Sequence, residues 1–246
     1  IIRKLTTDRG LDDWNIVHAF GGQSWALAQE LAKSLNSAMV LELWRAGLIP
    51  RATQFIKNTP LNCMITAPDK TIERAAIDSG ARLPIQVAPW GVPAPSSPRK
   101  ILREDHGISI VFHSSGRAKA ECTAAFDGIL DAISGNENIH FFVNLHAAQR
   151  SGLWARAKKA NALIDKIEEQ RDLALNADFL IYPDTIHEHR SLLYEAMGNA
   201  MCVIASTAEQ STSLIENDTA AIVHRSSRTQ WSNTLKDLIA DKDRAR

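Results

Sequence analysis

Three segments of the sequence combine residue types that could bind or transform an anionic ligand. The first, residues 114–119, reads Ser-Ser-Gly-Arg-Ala-Lys and lies between a strand pattern and a helix pattern. Glycine permits a tight turn, free N–H groups at a helix start attract anions, and arginine and lysine add positive charge. This combination suits a diphosphate. An ordinary strand-to-helix turn with surface cations would read the same way, so the local pattern leaves both interpretations open.

The second segment, residues 187–198, contains two histidines, an arginine and two glutamates in and before a helix pattern. Its apolar face would bring Arg190 and Glu195 to the end of the preceding strand. A glutamate buried there needs hydrogen-bond donors, which sugar or ribose hydroxyls supply. His187 and His189 are two residues apart and no third ligand accompanies them, so no metal site is indicated. They are solvated loop residues, or His187 faces a substrate.

The third segment is a strand pattern that ends near His18 and continues into a turn at Gly21 and Gly22. A histidine at the carboxyl end of a strand can face a ligand, but it can equally be a hydrogen-bonded structural residue. The sequence has no Gly-x-Ser-x-Gly elbow, no Walker A loop and no Gly-x-Gly-x-x-Gly motif. Hydrolase, nucleoside-triphosphatase and dehydrogenase functions are therefore disfavoured.

The elements that must position these segments alternate between short apolar strands and amphipathic helices, the pattern of βαβ units with a parallel sheet. Strands are predicted at residues 15–19, 39–44, 62–66, 85–88, 108–112, 139–145, 179–182, 202–205 and 220–223. Helices are predicted at residues 23–35, 67–78, 119–133, 149–176, 191–198 and 228–240. Ligands of such sheets bind at the carboxyl ends of the strands, which is where the three segments lie.

A stretch rich in proline and serine divides this alternation into two halves. We predict an α/β protein of two Rossmann-like, doubly wound domains that face a ligand cleft. The domains span residues 1–93 and 100–246, with a stiff linker at residues 94–99. The chain begins with Ile1 in the middle of a pattern and ends within a charged helical run. We therefore expect a fragment at both ends, with an incomplete first domain.

Composition excludes other classes of protein. The sequence has 28 basic and 28 acidic residues, so it offers no long-range attraction for nucleic acid. Its three cysteines are widely spaced, which signals neither a disulfide framework nor a zinc site and fits a reducing cytoplasm. No apolar run approaches the roughly 18–20 residues of a membrane span. We expect a cytoplasmic protein without an integral membrane segment, and leave peripheral association at the inner membrane face open.

Several segments together resemble family 4 glycosyltransferases. The LLEAMA.G.PVVAS segment of that family is similar to residues 191–206, which read Ser-Leu-Leu-Tyr-Glu-Ala-Met-Gly-Asn-Ala-Met-Cys-Val-Ile-Ala-Ser. In the same order as in the family, residues 15–19 resemble DVVHAH, 87–93 VIPNGVD, 115–117 the GR turn, 176–183 AADVFVLPS and 214–223 LVEDGVTGLLV. The resemblance covers most of the chain. It implies the GT-B fold, with the nucleotide-sugar donor held mainly by the second domain.

The resemblance also implies roles for single residues. Diphosphate binding is expected of Gly116, Arg117, Lys119 and Arg190, donor sugar or ribose binding of His187, Ser191, Leu192 and Glu195, and catalysis of His18, His187 and Glu195. Two positions depart from the family pattern. His187 replaces the first glutamate of the E-x7-E motif, and Cys122 replaces a lysine. Lys119 or Arg190 would then supply the missing positive charge.

The implied reaction transfers a hexosyl group from a nucleoside-diphosphate sugar to an acceptor hydroxyl, with retention of the anomeric configuration. Helix N-termini and basic side chains would stabilise the leaving diphosphate, so no metal or other cofactor is expected. The acceptor can be a glycan, a lipid-linked molecule or a small molecule. Because of His187 and Cys122, an inactive nucleotide-binding or scaffold protein of this fold stays open as an alternative. A sugar-nucleotide epimerase of the same fold is a second alternative.

Overall fold

The structure of the chain is a computed structural model, which describes residues 16–57, 62–89, 91–97, 100–136, 138–165, 176–184, 190–206, 220–223 and 227–245. The chain divides into two compact units, Ile1–Trp90 and Gly91–Arg246. Each unit is built around one parallel sheet. Within the described ranges, no helix has both the length and the apolar character needed to cross a bilayer.

The first unit contains a four-stranded parallel sheet in the order β1-β2-β3-β4. Its strands are β1 (Ile16–Ala19), β2 (Ala38–Glu42), β3 (Cys63–Ala67) and β4 (Ile85–Val87). Its helices are α1 (Trp25–Leu35), α2 (Ile49–Lys57) and α3 (Lys70–Asp78), with a 3₁₀ turn at Ala46–Leu48. Buried side chains of the strands and helices, among them Trp25, Leu41 and Ile72, form its apolar core.

The second unit contains a six-stranded parallel sheet in the order β10-β9-β8-β5-β6-β7. Its strands are β5 (Ile108–Phe112), β6 (Ile139–Asn144), β7 (Leu163–Asp165), β8 (Phe179–Tyr182), β9 (Cys202–Ser206) and β10 (Ala221–Val223). Its helices are α4 (Lys119–Ile133), α5 (Leu145–Arg150), α6 (Trp154–Lys159), α7 (Arg190–Gly198), α8 (Arg228–Ala240) and α9 (Lys242–Ala245).

Helices cover both faces of the second sheet. Alternate residues of a strand point to opposite faces, and neighbouring residues of β5 join different apolar clusters. Phe112 packs with Phe126 of α4 and Trp231 of α8, whereas Val111 packs with Leu193 of α7. Burial on both faces explains why these strands are continuous apolar runs rather than alternating ones.

The order of the second sheet creates a switch point between β5 and β8. From β5 the chain proceeds outward through β6 to β7, and then returns to β8, which pairs with the other side of β5. The connections that leave these two neighbouring strands run to opposite sides, which opens a crevice at their carboxyl ends. This crevice is where a ligand site is expected in a doubly wound sheet.

The predicted secondary structure differs from the structure in three places. In place of one helix over residues 149–176, the described part holds the end of α5, all of α6, and strand β7. Left-handed backbone at Gly152 (φ 75°) and Asn161 (φ 52°) ends the two short helices. Helix α2 was not predicted, and Pro50 lies in its first turn, where a missing N–H costs little. Helix α3 begins later than expected because Asp69 is its N-cap.

Asp178, at the amino end of β8, forms hydrogen bonds with β5 and with the segment that precedes it. One carboxylate oxygen accepts a hydrogen bond from the Leu102 N–H at 2.8 Å. The other accepts from the N–H and the hydroxyl of Ser109, each at 2.8 Å. The carboxylate is buried, so no water can replace it as the hydrogen-bond acceptor of these donors.

We therefore expect Asp178→Asn to destabilise the second unit by about 1–3 kcal/mol, because the amide NH₂ faces a backbone donor that the carboxylate satisfied. Urea unfolding followed by circular dichroism measures this loss. Glu104→Gln, at an exposed position of the same segment, is the control and should change stability by less than about 0.5 kcal/mol. Equal stabilities of the two variants would contradict the role given to Asp178.

Candidate functional site

Polar residues follow β5 and β8 at the switch point, and they are buried rather than solvated. His113, Ser114 and Ser115 come directly after β5, and Asp184 comes two residues after β8; each is at most 1% exposed. Burying polar groups costs free energy unless they are hydrogen-bonded. The arrangement of their hydrogen bonds therefore defines the site.

Both oxygens of the Asp184 carboxylate accept hydrogen bonds from the turn after β5. Oδ1 accepts from the Ser114 hydroxyl at 2.5 Å, and Oδ2 accepts from the Ser115 N–H at 2.7 Å. The serine oxygens then accept in turn: Ser114 Oγ from the Gly116 N–H at 3.0 Å, and Ser115 Oγ from the Arg117 N–H at 3.4 Å. Three consecutive N–H groups are thus satisfied within the turn.

Burial is the main influence on the charge of Asp184, and it raises the pKa of this carboxyl group above its usual value. Hydrogen bonds from Ser114 and Ser115 and the nearby charge of His113 act in the opposite direction and lower the pKa. Because the folded-state pKa lies above the unfolded value, this group destabilises the fold above its folded pKa. That cost disappears as the pH falls below the unfolded pKa.

Helix α5 confines the other side of the turn. Asn144, the N-cap of α5, accepts from the Ser114 N–H at 3.1 Å, and Arg150 Nη1 donates to the Ser115 carbonyl at 3.1 Å. Gly116 has a left-handed backbone (φ 71°). A Cβ atom there would lie 2.7 Å from the His146 carbonyl oxygen and 2.8 Å from Arg150 Cβ. Only glycine fits this position.

Helix α4 begins directly after the turn, and its first turn holds Lys119 and one acidic residue, Glu121. Arg117 and Lys119 are exposed. The N-cap residue is Ala118, which has no side-chain oxygen, and no side-chain hydrogen bond caps this end. The partial positive charge of a 15-residue helix is therefore combined with two cations. This arrangement can bind a phosphate or diphosphate group.

Cys122, which replaces the lysine of the family pattern, is a packing residue. Its side chain is 1% exposed, and its Sγ lies 3.0 Å from the Ser151 hydroxyl oxygen. Burial raises the pKa of this thiol, so it carries no charge at neutral pH. Positive charge at the site comes from the exposed side chains instead.

Helix α7 contains the predicted ribose-binding residue. Glu195 is 6% exposed, and its carbonyl oxygen accepts hydrogen bonds from the backbone and side-chain N–H groups of Asn199. Leu192 is also buried and packs in the apolar cluster with Leu193 and Ala196. The predicted ligand contacts of Leu192 can therefore be made only through its backbone.

The remaining predicted donor contacts lie partly outside the described residues. The backbones of Arg190 and Ser191 form the first turn of α7, but their side chains are outside the part that the structure describes. His187 lies wholly outside it. N–H groups in the first turn of a helix have no partner within the helix.

His18 lies on β1 in the first unit, beside a carboxylate that the sequence analysis missed. His18 Nε2 is 3.4 Å from Glu42 Oε2; the histidine side chain is 39% exposed and that of Glu42 is 10% exposed. The ring of Phe20 contacts the imidazole in a tilted arrangement, with 4.1 Å between ring centroids and 31° between the ring planes. Glu42 ends β2, the strand that pairs with β1. The sequence could have identified Glu42 by its position at the end of a predicted strand that neighbours β1.

Asp184 and His113 were also missed. Both follow predicted strands directly or within two residues, which was again the available signal. Among the described residues, no three histidine, cysteine, aspartate or glutamate side chains are grouped as metal ligands would be. The structure brings Gly116, Arg117 and Lys119 together at one helix start, and it gives Glu195 a buried place in the same unit.

Solved structures of glycosyltransferases share this fold. HepE from Anabaena, in complex with UDP and glucose, is 13% identical, with a TM-score of 0.74 over 99% of this chain and 73% of its own. The fold is GT-B. The pneumococcal O-GlcNAc transferase GtfA, in complex with UDP and GlcNAc, is 10% identical, with a TM-score of 0.67 over 98% of this chain and 52% of its own.

The lipopolysaccharide outer core galactosyltransferase WaaB is 12% identical, with a TM-score of 0.60 over 98% of this chain and 70% of its own. No protein-family model matches the chain, and no curated protein matches it. The two parallel sheets and these neighbours confirm the predicted α/β, GT-B fold class.

The confinement of Gly116 by α5 predicts the outcome of a pair of substitutions. Gly116→Ala should lower the free energy of unfolding by about 1–3 kcal/mol more than Gly152→Ala, because the methyl group meets backbone and side-chain atoms. Gly152 has a similar left-handed backbone (φ 75°), but a Cβ atom there would contact nothing within 4 Å. Urea unfolding of both variants separates the steric cost from the backbone cost. Equal losses would show that α5 does not confine the turn.

Proposed function

We propose that this chain is a glycosyltransferase that transfers a hexosyl group from a nucleoside-diphosphate sugar to an acceptor hydroxyl. One observation carries the proposal: at the switch point of a GT-B fold, an uncapped helix start lies next to exposed Arg117 and Lys119. This arrangement supports diphosphate binding at the position where doubly wound sheets bind ligands. UDP is the natural probe, since the HepE and GtfA structures contain it.

In the proposed complex the diphosphate is bound by the start of α4, Arg117, Lys119 and Arg190. Gly116 contributes the shape of the turn, because its N–H already donates to Ser114 Oγ. Negative charge that develops on the leaving diphosphate would be stabilised by these donors and cations, which are in place before the reaction. No divalent metal is then required for departure of the leaving group.

The proposed nucleoside and sugar contacts come from α7 and the residues before it. Glu195 would accept hydrogen bonds from the ribose hydroxyls, which supply the donors that a buried carboxylate needs. Leu192 would contribute its backbone N–H in the first turn of the helix. Ser191 and His187 complete the proposed set, with His187 at the donor sugar and also in catalysis, together with Glu195.

We further propose that His18 acts at the reacting sugar, with Glu42 holding the imidazole in place.

Transfer would proceed with retention, as in the family 4 enzymes that the sequence resembles. The acceptor class is left to experiment, with glycan biosynthesis as the proposed context. The three cysteines are free thiols, which supports a reducing cytoplasm as the site of action. Peripheral binding at the inner membrane face is part of the proposal.

Comparison of UDP with uridine tests the proposed donor site. Isothermal titration of the 246-residue chain should show that UDP binds more tightly than uridine. Arg117→Ala and Lys119→Ala should each weaken UDP binding by about tenfold without changing uridine binding, because each removes a cation that in the proposed complex binds the diphosphate and not the nucleoside. Glu195→Gln should weaken the binding of both ligands, because both contain the ribose.

Lys236→Ala is a suitable control, since Lys236 is an exposed cation on α8. It should leave both affinities unchanged. Equal binding of UDP and uridine by the wild-type chain would refute the diphosphate site. A loss of uridine binding in Arg117→Ala would instead show that Arg117 contacts the nucleoside.

His18→Asn tests the proposed catalytic role. Turnover of UDP-glucose, followed as UDP release with water or an acceptor panel, should fall at least about 100-fold in this variant. Its affinity for UDP should not change. His106→Asn is the matched control, because His106 also pairs with a carboxylate, that of Asp105 at 3.1 Å, on an exposed surface. Turnover in His18→Asn equal to that of wild type would exclude the role.

The same assay tests the other parts of the proposed reaction. Turnover should persist in the presence of EDTA, and NMR of the first-formed product should show the anomeric configuration of the donor. A wild-type chain that binds UDP but turns over no member of a donor panel would favour the inactive alternative.

A further inference from the structure

We infer that Asp184 is a positioning residue for the donor diphosphate: its buried carboxylate fixes the turn that presents Arg117 and the start of α4. The inference rests on the proposed donor site and adds to it a residue that does not touch the ligand. The resemblance to known enzymes assigned no role to this position. The argument depends on burial, on hydrogen-bond direction and on a comparison with a second carboxylate.

Burial shows that Asp184 acts through other residues. It is 1% exposed, so a ligand at the exposed start of α4 cannot contact its carboxylate. Both carboxylate oxygens are instead engaged by Ser114 and Ser115, at 2.5 and 2.7 Å. Hydrogen bonds to a charged acceptor are among the stronger ones in proteins. Asp184 therefore acts on the ligand only through the backbone of this turn.

The direction of the hydrogen bonds explains how the effect reaches Arg117. One branch joins Asp184 to the Ser114 hydroxyl, whose oxygen accepts from the Gly116 N–H. The other branch joins Asp184 to the Ser115 N–H, and Ser115 Oγ accepts from the Arg117 N–H. The second branch ends at the residue whose side chain carries the proposed phosphate contact, and helix α4 starts two residues later.

Simple electrostatics predicts the opposite effect of this residue. A carboxylate near a diphosphate repels it, so replacement of Asp184 by a neutral residue would strengthen UDP binding if charge alone mattered. Loss of the positioning effect would instead weaken UDP binding. The two effects have opposite signs, and an affinity measurement therefore separates them.

Asp178, at the other end of β8, provides a matched control. Like Asp184, it is buried and accepts hydrogen bonds from a serine hydroxyl and from backbone N–H groups. It lies at the amino end of β8, whereas Asp184 lies beyond the carboxyl end. The two residues share their chemistry and differ in which edge of the sheet they occupy.

The test compares Asp184→Asn with Asp178→Asn by isothermal titration with UDP and with uridine. Asp184→Asn should weaken UDP binding by about tenfold and leave uridine binding within about twofold, because the turn loses its charged acceptor. Asp178→Asn should change neither affinity, although urea unfolding should show that both variants are less stable. Unchanged or tighter UDP binding by Asp184→Asn overturns the inference, and so does an equal loss in Asp178→Asn.

A double-mutant cycle provides a readout that a general loss of stability would not give. If Asp184 acts partly through Arg117, then Asp184→Asn should weaken UDP binding less in an Arg117→Ala background than in wild type, because only the start of α4 is left to be misplaced. Fully additive effects would overturn the inference. Should Asp184→Asn not fold, Ser115→Ala removes the acceptor of the Arg117 N–H while keeping the carboxylate. It should weaken UDP binding and spare uridine binding, and unchanged UDP binding by this variant would overturn the inference.

Failure of the proposed function gives a different result. If the wild-type chain does not bind UDP more tightly than uridine, then the diphosphate site itself is refuted, and with it the ligand on which Asp184 would act. If the wild-type chain shows the preference and Asp184→Asn keeps it, then the donor site stands and only the positioning role is refuted.

Discussion

The Asp184 carboxylate joins the ends of two strands that are adjacent in the sheet but distant in the sequence. Its partners Ser114 and Ser115 are 70 and 69 positions away. A buried charge of this kind is costly when a partner is missing, so the turn and the end of β8 constrain each other. We relate the left-handed backbone of Gly116, the direction of helix α4 and the exposure of Arg117 to this link between the turn and the end of β8.

Most of the fold could be predicted from the sequence, since the elements with a strong pattern agree with the structure. Helices α4 and α8 and strands β5 and β8 have the predicted bounds, because long amphipathic and short apolar runs are the clearest local signals. Strand β7 and helix α2 were missed. Three residues at a sheet edge leave little pattern, and Pro50 in a first turn reads locally as an interruption.

The candidate site was predictable only where its residues are neighbours in sequence. Gly116, Arg117 and Lys119 form one local motif, and their shared position at a helix start follows from it. Asp184 and Glu42 gain their roles from strand order, which single-sequence periodicity does not contain. The sequence also does not reveal that the Gly116 N–H is already engaged within the turn.

Strand β8 consists of four buried, mainly apolar residues, Phe179–Tyr182, between the two buried carboxylates. An apolar run buried on both faces can slide by one position with little change in hydrophobic burial, so its own side chains specify alignment weakly. Asp178 and Asp184 remove this freedom. A shift of one residue would take both acids away from their donors at once and leave two uncompensated charges in the interior. The hydrogen bonds of these two acids therefore fix the register of β8 against β5.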